Sequence, residues 1–241
     1  MKHKSSLLIA LLSLTLTSCS VGWIRIGPVI DNGGSGSSGG NSSADSSTDS
    51  NPELGNIVAM FSSTKKISFE YESTSATYSL TFLMQQDSNV RHYRQLFVGD
   101  GTDFYESYKS YNPETGVEET YERSDPDGSF SQSSNTLTDE DVMVYTSSNY
   151  NSICSVPCFI AFKEHYGEAT KIEDTYVIEG PCVYTYSDSS YSLSFTNIEF
   201  SETEEGRYSL ACSLEETDST SSVSCEFYDI GTTSIEYPPT A

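Results

Sequence analysis

The sequence predicts a mainly β (α+β) domain. It is a curved antiparallel sheet or half-barrel, with a short N-terminal helix and a helical or irregular middle segment. Three observations predict it. Two stretches, Ile67 to Phe82 and Leu210 to Phe227, alternate apolar and polar residues with period two and double back at a constant register. Between them, Thr138 to Tyr166 drops that rhythm. The chain is also acidic yet aromatic. It has 35 Asp/Glu against 12 Lys/Arg, a net charge of −23, with 17 Tyr and 11 Phe. Acidity with few aromatics reads as disorder, whereas this many rings reads as a folded core. The charge repels phosphate backbones, which argues against nucleic acid as a partner, and it repels anionic headgroups.

Met1 to Ser18 reads as a signal peptide. Lys2, His3 and Lys4 form a basic start, and Leu7 to Leu16 is an apolar run. Ten residues span about 15 Å as a helix, roughly half a hydrocarbon core, so a transmembrane helix is not expected there. Leu16-Thr17-Ser18-Cys19 resembles a bacterial lipobox. That resemblance implies cleavage before Cys19, lipidation of the Cys19 thiol, and a partner membrane reached through that anchor on the extracytoplasmic side of the cell envelope. Ser20, in place of Asp, implies the outer membrane in a two-membrane host. Each buried methylene contributes about 0.8 kcal/mol, so two or three acyl chains hold firmly.

Residues 19–50 form the lipidated N-terminus and tether. Val21 to Ile30 carries the single Trp23 and reads either as an interfacial segment or as a piece packed on the domain. Asp31 to Ser50 is almost wholly Gly, Ser, Asn, Asp and Thr, a flexible linker reaching roughly 25 Å. Residues 51–241 read as one antiparallel β-rich domain.

Within it, Asn51 to Ser62 predicts a helix. Asn51 caps, Pro52 starts, and Leu54, Ile57, Val58 and Phe61 share a face. The first hairpin is expected to pair Tyr71 with Tyr78, Phe69 with Leu80 and Ile67 with Phe82. Val90 to Val98, Thr102 to Tyr111 and Val117 to Arg123 continue as strands, divided by Gly- and Pro-containing turns. Ser129 to Ser134 reads as loop. Phe159 to His165 reads as a short helix, and Thr138-x-x-Asp141 as a weak capping box. Strands return at Lys171 to Glu179, Cys182 to Tyr186, Tyr191 to Phe200, Arg207 to Leu214 and Ser222 to Tyr228, with a bulge expected near Thr196-Asn197. The last hairpin is expected to set Leu210 against Phe227, Cys212 against Cys225 and Leu214 against Val223. That register makes a Cys212–Cys225 disulfide plausible, the alternative being two free buried thiols.

Five cysteines follow Cys19, an odd number: Cys154, Cys158, Cys182, Cys212 and Cys225. Cys154, Cys158, His165 and Cys182 have loose zinc-like spacing, but export favours a disulfide among the three cysteines. The Asp100 and Asp125 turns look like calcium-loop fragments, but a loop started at Asp125 puts Gly128 fourth instead of sixth and Thr136 at the twelfth position, where Glu is needed, so both read as solvated turns. His92 and His165 are the only histidines after the signal, and neither stands in a catalytic motif. No catalytic residue, metal site or cofactor is therefore expected. Tyr105, Tyr108, Tyr111, Tyr121, Tyr184, Tyr186 and Tyr191 read either as a binding surface or as half-buried sheet residues.

The chain closes with Phe227-Tyr228-Asp229-Ile230-Gly231, then Thr233-Ser234-Ile235-Glu236-Tyr237-Pro238. An apolar strand, a D-x-G turn, a short strand and a proline resemble the close of LolA-like or LppX/LprG-like lipoproteins. The element order from Asn51 to Pro238 is similar to theirs as well. The resemblance implies a half-barrel with helices at its mouth, carrying lipids or lipidated cargo. In such a half-barrel Phe69, Leu80, Leu210 and Phe227 line the cavity. The expected function is thus a non-enzymatic carrier or sensor of an apolar, lipid-like ligand. The alternative is a surface module that binds a protein or glycan, with the same four residues filling a dry core.

Overall fold

The structure, a computed structural model, describes residues 51–138, 156–185, 192–215 and 219–239. The signal peptide, Cys19, the tether, Asp141, Cys154, Tyr186 and Tyr191 lie outside the described residues. Twelve antiparallel strands form one curved, unclosed sheet. They are β1 (Lys66–Thr74), β2 (Ser79–Asp87), β3 (Val90–Val98), β4 (Thr102–Asn112), β5 (Val117–Arg123), β6 (Ser131–Thr136), β7 (Thr170–Ile172), β8 (Thr175–Ile178), β9 (Cys182–Thr185), β10 (Ser192–Glu204), β11 (Arg207–Glu215) and β12 (Thr220–Tyr228). Their order is β6-β5-β4-β3-β2-β1-β12-β11-β10-β8-β7, with β9 also on β10. The two meanders meet where β1 pairs with β12, Phe69 opposite Phe227. Helices α1 (Pro52–Ser63) and α2 (Pro157–His165) accompany them. Among the described residues no helix is long and apolar enough to cross a membrane.

Both helices pack on one face of the sheet. Helix α1 buries Leu54, Val58 and Phe61, the apolar stripe expected of it. Asn51 does not cap with its side chain. Its Nδ2 instead donates to the Ala169 carbonyl at 2.7 Å, tying α1 to the turn that follows α2. Helix α2 has no polar face along its first six residues, Pro157 to Phe162, which are all buried. A helix apolar all round belongs inside a core. The Phe61 ring meets those of Phe159, Tyr208 and Phe227 at 5.6, 5.2 and 5.2 Å, and Phe162 stacks on Phe200 at 4.7 Å. Burying one such ring contributes about 1.5–3 kcal/mol.

The registers differ from expectation while the faces do not. Phe69 pairs with Met84 and Tyr71 with Phe82, because β1 and β2 run on to a Ser75–Tyr78 turn. There Ser75 Oγ accepts from the Thr77 and Tyr78 N–H groups. In the last hairpin Tyr208 faces Phe227, Leu210 faces Cys225 and Cys212 faces Val223. The shifts are by four and by two, and even shifts preserve parity. Burial selects a face, whereas turns rich in Ser, Thr and Asp leave the crossover point open. Cys212 and Cys225 are thus diagonal neighbours, and both are free and buried.

Three further corrections apply. Ser131–Thr136 is a strand and not a loop, exposed along its length, so no alternation betrayed it. The expected Lys171 to Glu179 strand is two strands, reversed at Glu173, whose φ is +54°. The segment after Asp229 is an irregular tail and not a short strand. The bulge falls where expected, with a register shift between Thr196 and Glu199 and Asn197 at φ +50°.

Candidate functional site

The residues expected to line a cavity are core. Phe69, Leu210 and Phe227 are fully buried and Leu80 is 2% exposed. Phe227 is in ring contact with Phe61, Phe69 and Phe159. None of the four borders any of the three cavities described for the chain.

The larger two cavities lie on the opposite face, which carries no helix among the described residues. Strand pairing builds that face in rows. One row reads Glu226, Glu70, Leu83, Arg94, Glu106, Arg123 across β12, β1, β2, β3, β4 and β5. The next reads Ser224, Glu72, Thr81, Leu96, Phe104. Between them lies a groove of 590 Å³ lined by Glu70, Glu72, Leu83, Arg94, Leu96, Phe104, Pro126 and Glu226, among others. A second hollow of 490 Å³ continues it over Ala211, Ser213 and Ser222, sharing Glu72 and Ser224. Together they make a trough running across the strands from β10 to β4. Six strand spacings amount to about 29 Å, the length of about nine extended residues.

Chemically the trough is an apolar strip with acidic walls. Leu96 is 40% exposed and lies beside Leu83 and Phe104. Glu70, Glu72 and Glu226 are exposed around it. Glu70 accepts from the Tyr228 hydroxyl at 2.8 Å, and Glu226 pairs with Arg207 at 3.1 Å. Arg94 is exposed, and among the described residues it has no salt bridge; its row neighbour Glu106 is taken by His92 and Arg123.

A third row, Ser68, Gln85, His92, Tyr108, Tyr121, lies next to the groove and is covered by the C-terminal tail. Thr233 is buried against Ser68 Oγ at 3.2 Å, and the Tyr237 ring sits edge-on to Tyr121 at 5.5 Å. Beneath the tail runs a hydrogen-bond chain. Gln85 Nε2 donates to Ser68 Oγ, Gln85 Oε1 lies 3.0 Å from His92 Nδ1, and Glu106 Oε1 lies 2.8 Å from His92 Nε2. Arg123 Nε donates to Glu106 Oε2 at 2.7 Å, and its guanidinium covers the Phe130 ring at 4.6 Å. Two acceptors flank the imidazole, so both bonds form only with the charged ring. Burial opposes that charge and lowers the His92 pKa, although Glu106 pulls it upward. Burial also raises Glu106, but hydrogen bonds from His92 and Arg123 outweigh it and hold the carboxyl below its ordinary value. Ser68 reaches His92 only through Gln85, so the three do not form a nucleophile–base pair.

His165 ends α2 and pairs with Glu168 at 2.8 Å. Among the described residues no group of three His, Cys, Asp or Glu side chains is arranged to hold a metal. Of the tyrosines read as a candidate surface, the five described do not make one. Tyr111 and Tyr184 are buried, Tyr105 packs against the core on the helix side, and Tyr108 and Tyr121 lie on the tail-covered row. The trough itself was missed. Its signal was available in β2, where Leu83 is an apolar residue on the parity otherwise given to Ser79, Thr81, Gln85 and Asp87.

No protein-family model matches this chain, and no curated protein matches it.

Proposed function

We propose that this is a lipid-anchored extracytoplasmic lipoprotein whose β-rich domain is a non-enzymatic interaction module. It takes an extended polypeptide, apolar in the middle and flanked by Lys or Arg, in the trough on the open face. The observation that carries the reading is the strip of exposed Leu96 and half-buried Leu83 and Phe104, walled by Glu70, Glu72 and Glu226. The net charge of −23 favours a basic partner and speeds its approach. A glycan wants aromatic platforms, and the groove offers Phe104 as its one half-exposed ring. Leu16-Thr17-Ser18-Cys19 supports the anchor, and the linker behind it supports a domain held clear of the bilayer.

The test is peptide selection on the soluble Cys19→Ala chain, followed by fluorescence anisotropy. Selected peptides are basic and apolar and bind more weakly as salt rises. Leu96→Lys weakens them at least tenfold, about 1.4 kcal/mol. Peptides of no common character, or binding indifferent to Leu96→Lys and to Glu70→Lys, end the proposal. The anchor has its own check. A palmitate analogue labels the wild-type chain, and Cys19→Ala abolishes the label and releases the protein; equal labelling of both places the lipid elsewhere.

A second reading is the carrier of an apolar ligand. What favours it is an unclosed sheet with an aromatic face on which α2 lies as an all-apolar helix. A ligand then enters by displacing α2 from Phe159 and Phe162 outward.

A further inference from the structure

Three cysteines far apart in the chain converge under α2. Cys158 is in the first turn of that helix and fully buried. Its Sγ lies 3.5 Å from that of Cys225 on β12, 67 positions away. Cys212 on β11 also turns its thiol to Cys158. Cys212 and Cys225 are diagonal neighbours in the hairpin, Cys212 opposite Val223 and Cys225 opposite Leu210. Diagonal positions lie about 7–8 Å apart, well beyond the Cβ spacing of a disulfide. A cross-strand bond between those two is therefore disfavoured, while Cys158 approaches both from above.

We propose that Cys158 and Cys225 form a disulfide that staples α2 to the sheet, with Cys212 as the one thiol, among the described residues, placed to take the position of Cys225. The two sulfurs lie 3.5 Å apart, against about 2.05 Å in a formed disulfide. The oxidant is a disulfide of the glutathione or thiol-oxidoreductase class. The Cys158 thiolate attacks one sulfur of that disulfide, its proton going to solvent, and the second sulfur leaves as a thiolate. The Cys225 thiolate then attacks Cys158 Sγ in the mixed disulfide and expels the remaining thiolate. Two thiols have lost two protons and two electrons, and the oxidant has been reduced to two thiols. Cys158 is the attacking member. The S–H groups of Cys212 and Cys225 and the backbone N–H of Phe159 all favour its thiolate, so it lies below the ordinary thiol value. Burial and the Cys158 neighbour raise Cys225.

The inference rests on the export reading only for its oxidant in the cell, so the test has two arms. In the first, the reduced full chain is refolded in a glutathione redox buffer, alkylated, and digested without reduction for peptide mapping. The expected product is one cross-linked pair, Cys158 with Cys225, and an alkylated Cys212. Cys225→Ser diverts the link to Cys158–Cys212, and Cys158→Ser abolishes both. Reduction of the wild-type chain lowers Tm by about 5–15 °C. All three thiols alkylated after refolding overturns the inference. So does a link from Cys158 to Cys154 or Cys182, or a metal ion retained on the reduced thiols. In the second arm the chain is expressed with its own signal in an exporting bacterium and mapped in the same way. A link present in both arms supports the inference and export together. A link formed in glutathione but absent from the expressed chain supports the inference and counts against export.

Discussion

His92 shows how one residue binds the open face to the tail. Its ring stacks on Tyr108 at 4.1 Å and lies between Gln85 and Glu106, with Arg94 and Arg123 raising the local positive potential. From Gln85 the chain of bonds passes to Ser68 and on to Thr233, whose hydroxyl donates to the Asp229 carbonyl. Since Thr233 donates there and Gln85 donates to Ser68, Ser68 is the donor to Thr233. A change in the charge of His92 therefore reaches, through Gln85 and Ser68, the network that holds the C-terminal tail. The folded His92 pKa lies below its ordinary value, so below about pH 6.5 the unfolded chain binds more protons. Stability is complete above that pH and falls as pH drops through the lowered value. Glu106 is depressed too, and its contribution is lost at still lower pH, below about 4.5. Urea midpoints of the soluble chain from pH 8 to 4 follow this course. His92→Gln flattens the upper part of the slope. An unchanged upper slope in that variant assigns it to another group. The sequence offered His92 only as a residue in a strand near two arginines. Its partners come from β2, β4 and, through Arg123, β5, and side-chain convergence across four strands has no signature along one of them.

At the scale of elements, helix α1 carries more than its length suggests. Phe61 touches rings from α2, β10, β11 and β12. Phe61→Ala removes those contacts and leaves a cavity among residues that interlock from four elements and collapse poorly. The expected cost is about 3–5 kcal/mol, read as a lower urea midpoint with an unchanged slope. A loss under 1 kcal/mol means that α1 is dispensable to the core. The i, i+3, i+4, i+7 stripe made this helix legible to within a residue, and the Gly- and Pro-containing turns did the same for β3 and β5. Faces were legible because burial selects parity; registers were not, because several Ser, Thr and Asp residues compete for each turn. Strand β6 was illegible for a different reason. It has no buried face, and it is a strand because β5 offers it a ladder.

At the largest scale the described residues form one sheet with two dissimilar faces. One is dry, roofed by two helices and filled with rings. The other is divided into a tail-covered polar row and an open acidic trough with an apolar floor. Phe69, Leu80, Leu210 and Phe227 were legible as one apolar face, but whether that face held a cavity depended on how far α1 and α2 fill it. They fill it with Phe61, Phe159 and Phe162. The central claim is that binding takes place on the open face and not beneath the helices. Native mass spectrometry of the soluble Cys19→Ala chain, with and without a selected basic–apolar peptide, tests it most directly. The account predicts a ligand-free chain that gains one peptide, and loses that adduct on Leu96→Lys. A co-purifying lipid that disappears on Phe227→Asp in a chain that still folds, together with no peptide adduct, contradicts it.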